Sequence, residues 1–211
     1  DQAIKVADLF LTKGQIVSTK GRHPDSNQNF SADKEGFAQN LPLAVLINGN
    51  TASAAEIVAA ALQDQGRAVV IGTNSYGKGT VQNVITLPNN GELTLTWSRF
   101  HAPSGYTLNN LGVLPTICTS RETTGNIEKE NANFTRRPKE LHAGAIVSET
   151  ALSKWRAEDL PSEKTIEELR AICPDRKKVS DRDITVAKQL LTEPTLYGRA
   201  MSLSFPAIAN R

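Results

Sequence analysis

The sequence has few cysteines, little excess charge and no long apolar run, and each shortage excludes a class of protein. Only Cys118 and Cys173 occur among 211 residues, and their wide spacing excludes a CxxC pair and argues against a structural zinc site. The longest apolar run, 43–47 with Leu41 beside it, is far shorter than the roughly 20 residues of a membrane helix. The 24 Lys and Arg nearly balance the 22 Asp and Glu, which argues against a nucleic acid partner.

Apolar residues still make up 39% of the chain, so its length supports one full domain, or one domain with an extension. Residues 1–11 have the spacing of an amphipathic helix, with no initiator Met, basic leader or cleavage site. We therefore expect the chain to be part of a longer protein and to start inside a domain.

A strand–helix–strand unit is predicted between residues 41 and 71. Residues 41–47 are nearly all apolar, which is typical of a strand buried on both faces. Residues 51–65 are rich in Ala and end before Gly66, which favours a helix. Residues 68–71 predict a second buried strand, so the two strands should be parallel and joined by a right-handed crossover.

Other elements are predicted on both sides of this unit. Residues 15–18 indicate a short strand, and the polar residues 21–40 indicate a surface loop. Alternating β-branched and aromatic residues predict an antiparallel hairpin of 80–87 with 92–100 around Asn89-Asn90-Gly91. From residue 118 onward the composition changes, and we expect a polar linker over 119–140 and helices over 139–157, 162–172 and 181–192.

Two loops of the predicted α/β unit carry residues suited to catalysis. Because parallel strands end at the same edge of a sheet, the loops after Ile47 and Ile71 should meet there. The first loop carries Ser53 at a helix N-terminus, and the second carries Lys78. A hydroxyl, an amine and free backbone N–H groups together make a candidate nucleophile, base and oxyanion site.

The residues alone leave simpler interpretations open. Ser53 can be the N-cap of a capping box with Glu56, and Lys78 can be a solvated loop lysine. The loop 72–79 also nearly matches a phosphate-binding P-loop. However, Gly79 stands where a Ser or Thr would bind magnesium, and the next residues predict a strand rather than a helix. Nucleotide binding is therefore disfavoured, and we expect no cofactor and no metal.

Several segments, in this order and spacing, resemble the core of the carboxy-terminal processing (tail-specific) proteases of peptidase family S41. They are 50–57 (NTASAAEI), 61–64 (ALQD), 66–68 (GRA), 77–82 (GKGTVQ) and the strand and turn over 99–115. The likeness covers about residues 1–117 and leaves 118–211 as a linker and helical extension. The family usually has a second Ser where this chain has Ala55, but Ser53 keeps the place of the nucleophile.

The resemblance implies a crotonase/ClpP-like α/β protease core and a serine endopeptidase with a Ser–Lys dyad that cleaves polypeptides near nonpolar C-termini. It assigns Ser53 as the nucleophile, Lys78 as the general base, Gln82 as the residue that orients Lys78, and the Ala54 backbone N–H as an oxyanion donor. We interpret Asp64, which matches an acidic family position, as structural, because it lies eleven residues along the helix.

A lysine can act as a general base near neutral pH only if its pKa falls from about 10.4 toward 7 to 8. Burial lowers a lysine pKa, and Tyr76 with the apolar strand ends is expected to form the dry wall. Gln82 would lie about 13 Å from Lys78 along a straight strand, so contact requires a bend, which Gly79 allows. The family also alternates between aligned and misaligned states of this site.

The resemblance also bears on compartment and partners. The family acts in the bacterial periplasm or another extracytoplasmic compartment, where a Cys118–Cys173 disulfide can form; two unpaired thiols are the alternative. The family's second oxyanion donor and its upstream PDZ domain are not in this sequence, so we expect these residues alone to be inactive. Self-association through the C-terminal helices is a further expectation. A noncatalytic peptide-binding module of the same fold is the competing interpretation.

Overall fold

Two four-stranded sheets organise the chain in a computed structural model, which describes residues 2–33, 36, 38, 41–120, 145–178 and 180–204. The strands are β1 (Gln15–Lys20), β2 (Gln28–Ser31), β3 (Ala44–Ile47), β4 (Val69–Gly72), β5 (Thr80–Thr86), β6 (Glu92–His101), β7 (Ile117–Cys118) and β8 (Ala145–Ile146). The α-helices of the described ranges are α1 (Gln2–Asp8), α2 (Ala54–Asp64), α3 (Glu149–Arg156), α4 (Glu163–Arg170), α5 (Asp181–Thr192) and α6 (Pro194–Ser204). The predicted mixed α/β class is confirmed.

The first sheet is antiparallel and has the order β2-β1-β6-β5. The predicted hairpin is confirmed, with β5 paired to β6 from Thr80↔Arg99 to Thr86↔Glu92. The prediction that residues 21–40 form only a surface loop is wrong, because β2 lies there and pairs with β1. Phe30 is its single large apolar residue, so the segment lacks the hydrophobic pattern by which a strand is recognised.

The second sheet has the order β3-β4-β7-β8 and contains the predicted parallel unit. β3 and β4 are paired in parallel, and α2 lies between them in the chain. The prediction that the first strand is buried on both faces is wrong: β3 is an edge strand, and Leu46 is 44% exposed. β4 has neighbours on both sides and is buried along its whole length.

The parallel pairing places the loops after β3 and β4 side by side, as expected. The backbone N–H of Thr73 donates to the carbonyl of Ile47 at 3.2 Å, and that of Tyr76 donates to the carbonyl of Thr51 at 2.9 Å. The loop carrying Ser53 therefore runs beside the loop carrying Lys78.

The C-terminal part of the chain completes the cores of both sheets. α3 and α4 contribute Leu152, Trp155 and Leu169 to the core around α2. α5 and α6 pack on the residues of β4 and β7, with Val186, Leu190, Leu196 and Ala200. The helix predicted over 181–192 is confirmed; those predicted over 139–157 and 162–172 are shorter, and α6 was not predicted. Residues 121–140 of the predicted linker lie outside the described residues. Self-association through these helices stays a prediction.

Cys118 and Cys173 form a disulfide, which settles the alternative that the sequence left open. The bond joins the end of β7 to the segment after α4, across 55 residues of sequence. Among the helices of the described ranges, none has both the length and the apolar character required to cross a bilayer.

Asp64, the last residue of α2, forms a buried ion pair with the C-terminal part of the chain. Its carboxylate accepts hydrogen bonds from Ser104 N at 3.0 Å, from Ser104 Oγ at 2.7 Å and from Arg156 Nε at 3.2 Å. Burial raises the pKa of Asp64, and the charge of Arg156 and the Ser104 hydrogen bonds oppose that rise. These contacts fit the structural role expected for Asp64.

Replacing Arg156 by Met is expected to lower the free energy of unfolding by about 3 kcal/mol at pH 7.5, because the Asp64 charge would stay buried without its partner. The folded-state pKa of Asp64 is already raised, so the folded variant takes up a proton more readily than the unfolded chain. The loss should therefore shrink as the pH falls toward 5.5. Urea titrations at both pH values measure it, with exposed Lys154→Met as the control; a loss of equal size at both pH values would contradict the ion-pair explanation.

Candidate active site

Ser53 stands at the junction between the loop after β3 and the start of α2. Its backbone has φ +54° and ψ −116°, a region that residues other than glycine rarely adopt. The side chain is half-buried. Strained backbone of this kind concentrates at functional positions, so Ser53 stays a candidate for a functional role beside its place at the start of the helix.

Lys78 lies in the loop after β4, between two glycines that the geometry requires. Gly77 has φ +90°, and a Cβ on Gly79 would lie 2.1 Å from the backbone nitrogen of Asn109. The Lys78 side chain is exposed, and within the described residues its amine takes part in no hydrogen bond or ion pair. The predicted dry wall is not formed in this structure, since Tyr76 is 60% exposed.

The carboxylate of Glu56, which is fully buried, connects the two loops. One oxygen, Oε2, accepts hydrogen bonds from Ser53 N at 2.8 Å and from Lys78 N at 2.9 Å. The other, Oε1, accepts from Gly77 N at 2.7 Å and from the hydroxyl of Ser75. Two donors on one oxygen lie within about 6 Å of each other, so the backbones of Ser53 and Lys78 are adjacent.

Sequence reasoning recognised only part of this arrangement. The S-x-x-E spacing predicted a capping box between Ser53 and Glu56, and its Glu56-to-Ser53 N–H bond is present. The bonds from Glu56 to the second loop were missed, because they depend on packing between segments about twenty residues apart. The only sequence signal for these bonds was a glutamate at a helix start, followed after the next strand by a loop that contains several glycines.

Ala54 begins α2 and is exposed. Within the described residues its backbone N–H has no acceptor, and it lies at the positive end of the helix dipole. The group is therefore available to a developing negative charge next to Ser53, as the predicted oxyanion role requires.

Gln82 is the third residue of β5 and is exposed. Within the described residues it makes no hydrogen bond with Lys78. The irregularity in the pairing of β5 with β6 lies between Val81 and Gln82, and Gly79 precedes the strand. The role of Gln82 in orienting Lys78 stays a prediction.

A cleft of about 290 Å³ opens beside Ser53, between α1, α2 and the antiparallel sheet. Most of the side chains that line it are apolar. The lining residues are Gln2, Ala3, Ile4, Val17, Thr19, Gln28, Phe30, Ser53, Ala54, Ile57, Val81 and Phe100. A largely apolar lining with a few polar groups is typical of binding clefts.

The phosphate-binding alternative for loop 72–79 fits the structure poorly. A P-loop needs free backbone N–H groups and a helix that follows them. Here the N–H groups of Gly77 and Lys78 donate to Glu56, that of Tyr76 donates to Thr51, and strand β5 follows. Within the described ranges, no group of three or more His, Cys, Asp or Glu residues is placed to hold a metal ion.

Neither of the two histidines that the structure describes makes a hydrogen bond or ion pair with Ser53 or Lys78. His101 is buried, and its Nε2 contacts the Asp159 carboxylate at 2.7 Å. Burial lowers the pKa of His101, and the hydrogen bond with Asp159 opposes that shift. His23 stacks on Trp97 at the surface, and His142 lies outside the described residues.

Comparison with known proteins identifies the family of this core. The family model described as Peptidase family S41 matches residues 1–119. The carboxy-terminal-processing protease of Bartonella bacilliformis is 50% identical over 117 residues, which are 56% of this chain and 27% of that protein. The carboxyl-terminal-processing protease of Picosynechococcus sp. is 36% identical over 122 residues, which are 58% of this chain and 29% of that protein.

The solved structure of the photosystem II D1 C-terminal processing protease is also similar, at 32% identity and a TM-score of 0.49, over 54% of this chain and 29% of that one. The chain thus spans less than a third of the length of the relatives it matches. The family model, however, covers more than half of the chain and includes both loops of the site. The chain belongs to peptidase family S41.

Proposed function

We propose that this chain carries the catalytic core of a serine endopeptidase of the carboxy-terminal processing kind, with Ser53 as nucleophile and Lys78 as general base. The observation that carries the proposal is the junction at Glu56, where Ser53 N and Lys78 N donate to the same carboxylate oxygen. The junction keeps the backbones of a serine and a lysine adjacent at one edge of the sheet, beside the start of α2, where the N–H of Ala54 has no acceptor within the described residues. Nucleophilic acyl transfer needs these three groups together.

In the proposed reaction, Ser53 Oγ attacks the carbonyl carbon of the scissile peptide bond and transfers its proton to Lys78 Nζ. The carbonyl oxygen becomes an oxyanion, to which the Ala54 N–H donates. The C–N bond then breaks, and Lys78 Nζ returns the proton to the leaving amine nitrogen. Water, deprotonated by Lys78, next attacks the acyl carbon; the bond from that carbon to Ser53 Oγ breaks, Lys78 Nζ returns the proton to Ser53 Oγ, and the new C-terminal carboxyl group leaves.

The reaction requires a change in the position of Lys78. Its side chain is exposed here, whereas a lysine base must approach the serine hydroxyl and lose contact with water. The long, flexible side chain allows that movement, and Gln82 would hold the amine in the aligned state. A bound peptide that covers the cleft would exclude water from the amine.

The proposed substrate is a polypeptide with nonpolar residues near its C-terminus. Apolar side chains line most of the cleft beside Ser53, which favours a nonpolar side chain next to the scissile bond. The proposed compartment is extracytoplasmic, as in the bacterial periplasm. The Cys118–Cys173 disulfide supports it, because structural disulfides persist mainly in oxidising compartments.

Labelling with a fluorophosphonate, which reacts with activated serines, tests the proposal in the native protein. Digestion and mass spectrometry are expected to find the phosphonate on Ser53, with labelling lost in Ser53→Ala and kept in the exposed Ser153→Ala control. Binding of a peptide with a nonpolar C-terminus, without labelling of Ser53 and without cleavage, would instead favour the noncatalytic binding module.

A further inference from the structure

The two loops of the site, which contact each other directly and through Glu56, are also connected by residues 170–178, which we call the bridging segment. This segment joins α4 to α5 and lies outside the residues matched by the family model. Toward the Ser53 loop, the carbonyl of Arg176 accepts from Gly49 N at 2.9 Å, and the carbonyl of Lys177 accepts from Asn50 Nδ2 at 2.8 Å. The contact is close: a Cβ on Gly49 would lie 2.7 Å from the Asp175 carboxylate.

Toward the Lys78 loop, the bridging segment binds the residues that directly follow β4. The backbone N–H of Arg176 donates to Thr73 Oγ1 at 3.1 Å. Asn74 donates through Nδ2 to the carbonyl of Arg170 at 2.9 Å and through its backbone N–H to the carbonyl of Cys173 at 3.4 Å. The N–H and C=O of the single residue Arg176 therefore contact both loops.

The side chain of Arg176 anchors the segment to the protein core. Its Nη2 contacts both carboxylate oxygens of Asp183, at 2.7 and 2.8 Å, while Nη1 donates to the Thr119 carbonyl at 3.0 Å and Nε donates to the Lys178 carbonyl at 3.1 Å. Asp183 is buried and also accepts from Thr119 Oγ1 at 2.6 Å. Such a fork of donors fixes a geometry that a lysine cannot reproduce.

We infer that Arg176 is a positioning residue of the peptidase site, and this inference rests on the proposed function. Glu56 joins the loops at Ser53 and Lys78; the bridging segment joins them at 49–50 and 73–74. Together with the direct backbone hydrogen bonds from Thr73 to Ile47 and from Tyr76 to Thr51, these connections fix the relative orientation of the loops, and the loss of one of them loosens it. A misplacement of about 1 Å between reacting groups costs about 10²-fold in rate, so the bridging segment affects turnover.

Replacing Arg176 by Met in the native protein tests the inference, with Arg199→Met, an exposed arginine of α6, as the matched control. We expect Arg176→Met to lower kcat about tenfold or more while KM changes less than about twofold, at a temperature where urea titration finds the variant folded. Arg176→Lys, which keeps the charge but loses the fork, should recover part of kcat. Arg199→Met should match the wild type.

Hydrogen exchange at the amides of Gly49 and Asn74 provides a readout that does not depend on catalysis. Both amides donate to the bridging segment, so they should exchange faster in Arg176→Met than in wild type or Arg199→Met. If Arg176→Met does not fold, Asp183→Asn, which removes the charged partner, is expected to produce the same kcat and exchange changes.

Three results would overturn the inference. They are an unchanged kcat in folded Arg176→Met, a fall in kcat that the unfolded fraction of Arg176→Met explains completely, and a fall in kcat of the same size in Arg199→Met. If the proposed function were wrong, the result would be different: Ser53→Ala would keep wild-type turnover. Loss of turnover in Ser53→Ala combined with normal turnover in Arg176→Met would reject only the role of Arg176.

Discussion

Replacing Ser53 by Ala, or Lys78 by Met, is expected to lower kcat/KM for peptide cleavage by at least about 10⁴-fold. Without the Ser53 hydroxyl no acyl-enzyme can form, and without the Lys78 amine no group of the site takes the proton of that hydroxyl. Members of a catalytic unit act together, so the double variant should lose little more than either single one. Initial rates on a peptide with a nonpolar C-terminus measure the effect.

The pH dependence of wild-type turnover adds a second readout. A general base accepts a proton only in its unprotonated form, so kcat should rise as the pH is raised. The exposed residues Ser153 and Lys13 supply matched controls, Ser153→Ala and Lys13→Met, which should retain wild-type rates and the wild-type pH profile. Turnover in Lys78→Met within tenfold of wild type would rule out Lys78 as the base.

The sequence predicts well the strands, helix and loops that carry the site, because each of them depends on local sequence signals. The sequence indicates two apolar strands, an alanine-rich helix between them and a glycine-containing loop over 72–79. In a parallel strand–helix–strand unit, Ser53 and Lys78 then fall on neighbouring loops. The backbone N–H of Ala54 follows from its position at the helix start. None of these inferences needs contacts between distant segments.

The features that were missed or wrong depend on such distant contacts. The bridging segment contacts the loops largely through backbone carbonyls, which every sequence supplies, so no motif marks it. The exposure of Leu46 depends on which strand lies at the edge of the sheet, and β2 is recognised only through its partner β1. Tyr76 was expected to shield Lys78 from water, but its side chain is exposed. An aromatic residue in a loop is not necessarily turned toward the core.

Replacing Glu56 by Gln is expected to lower the free energy of unfolding by about 4 kcal/mol, because several buried donors lose an acceptor at about 1–3 kcal/mol each. The carboxylate accepts four hydrogen bonds, and both of its oxygens are used. A glutamine has the same shape but only one acceptor oxygen, and its NH₂ would face two donors, either Gly77 N and Ser75 Oγ or Ser53 N and Lys78 N. Urea unfolding, with the exposed Glu92→Gln as control, measures the loss.

The same substitution should also lower kcat beyond the loss of folded protein, since the glutamine oxygen can serve only one of the two donor pairs and the loops must shift to relieve the other. Glu56→Asp keeps the charge but is one methylene shorter, so it can satisfy one loop but not both at the same distances; we expect its stability and kcat to lie between those of wild type and Glu56→Gln. If Glu56→Gln were as stable and as active as Glu92→Gln, the two loops would be held together by other contacts, and the bridging segment would be the main candidate.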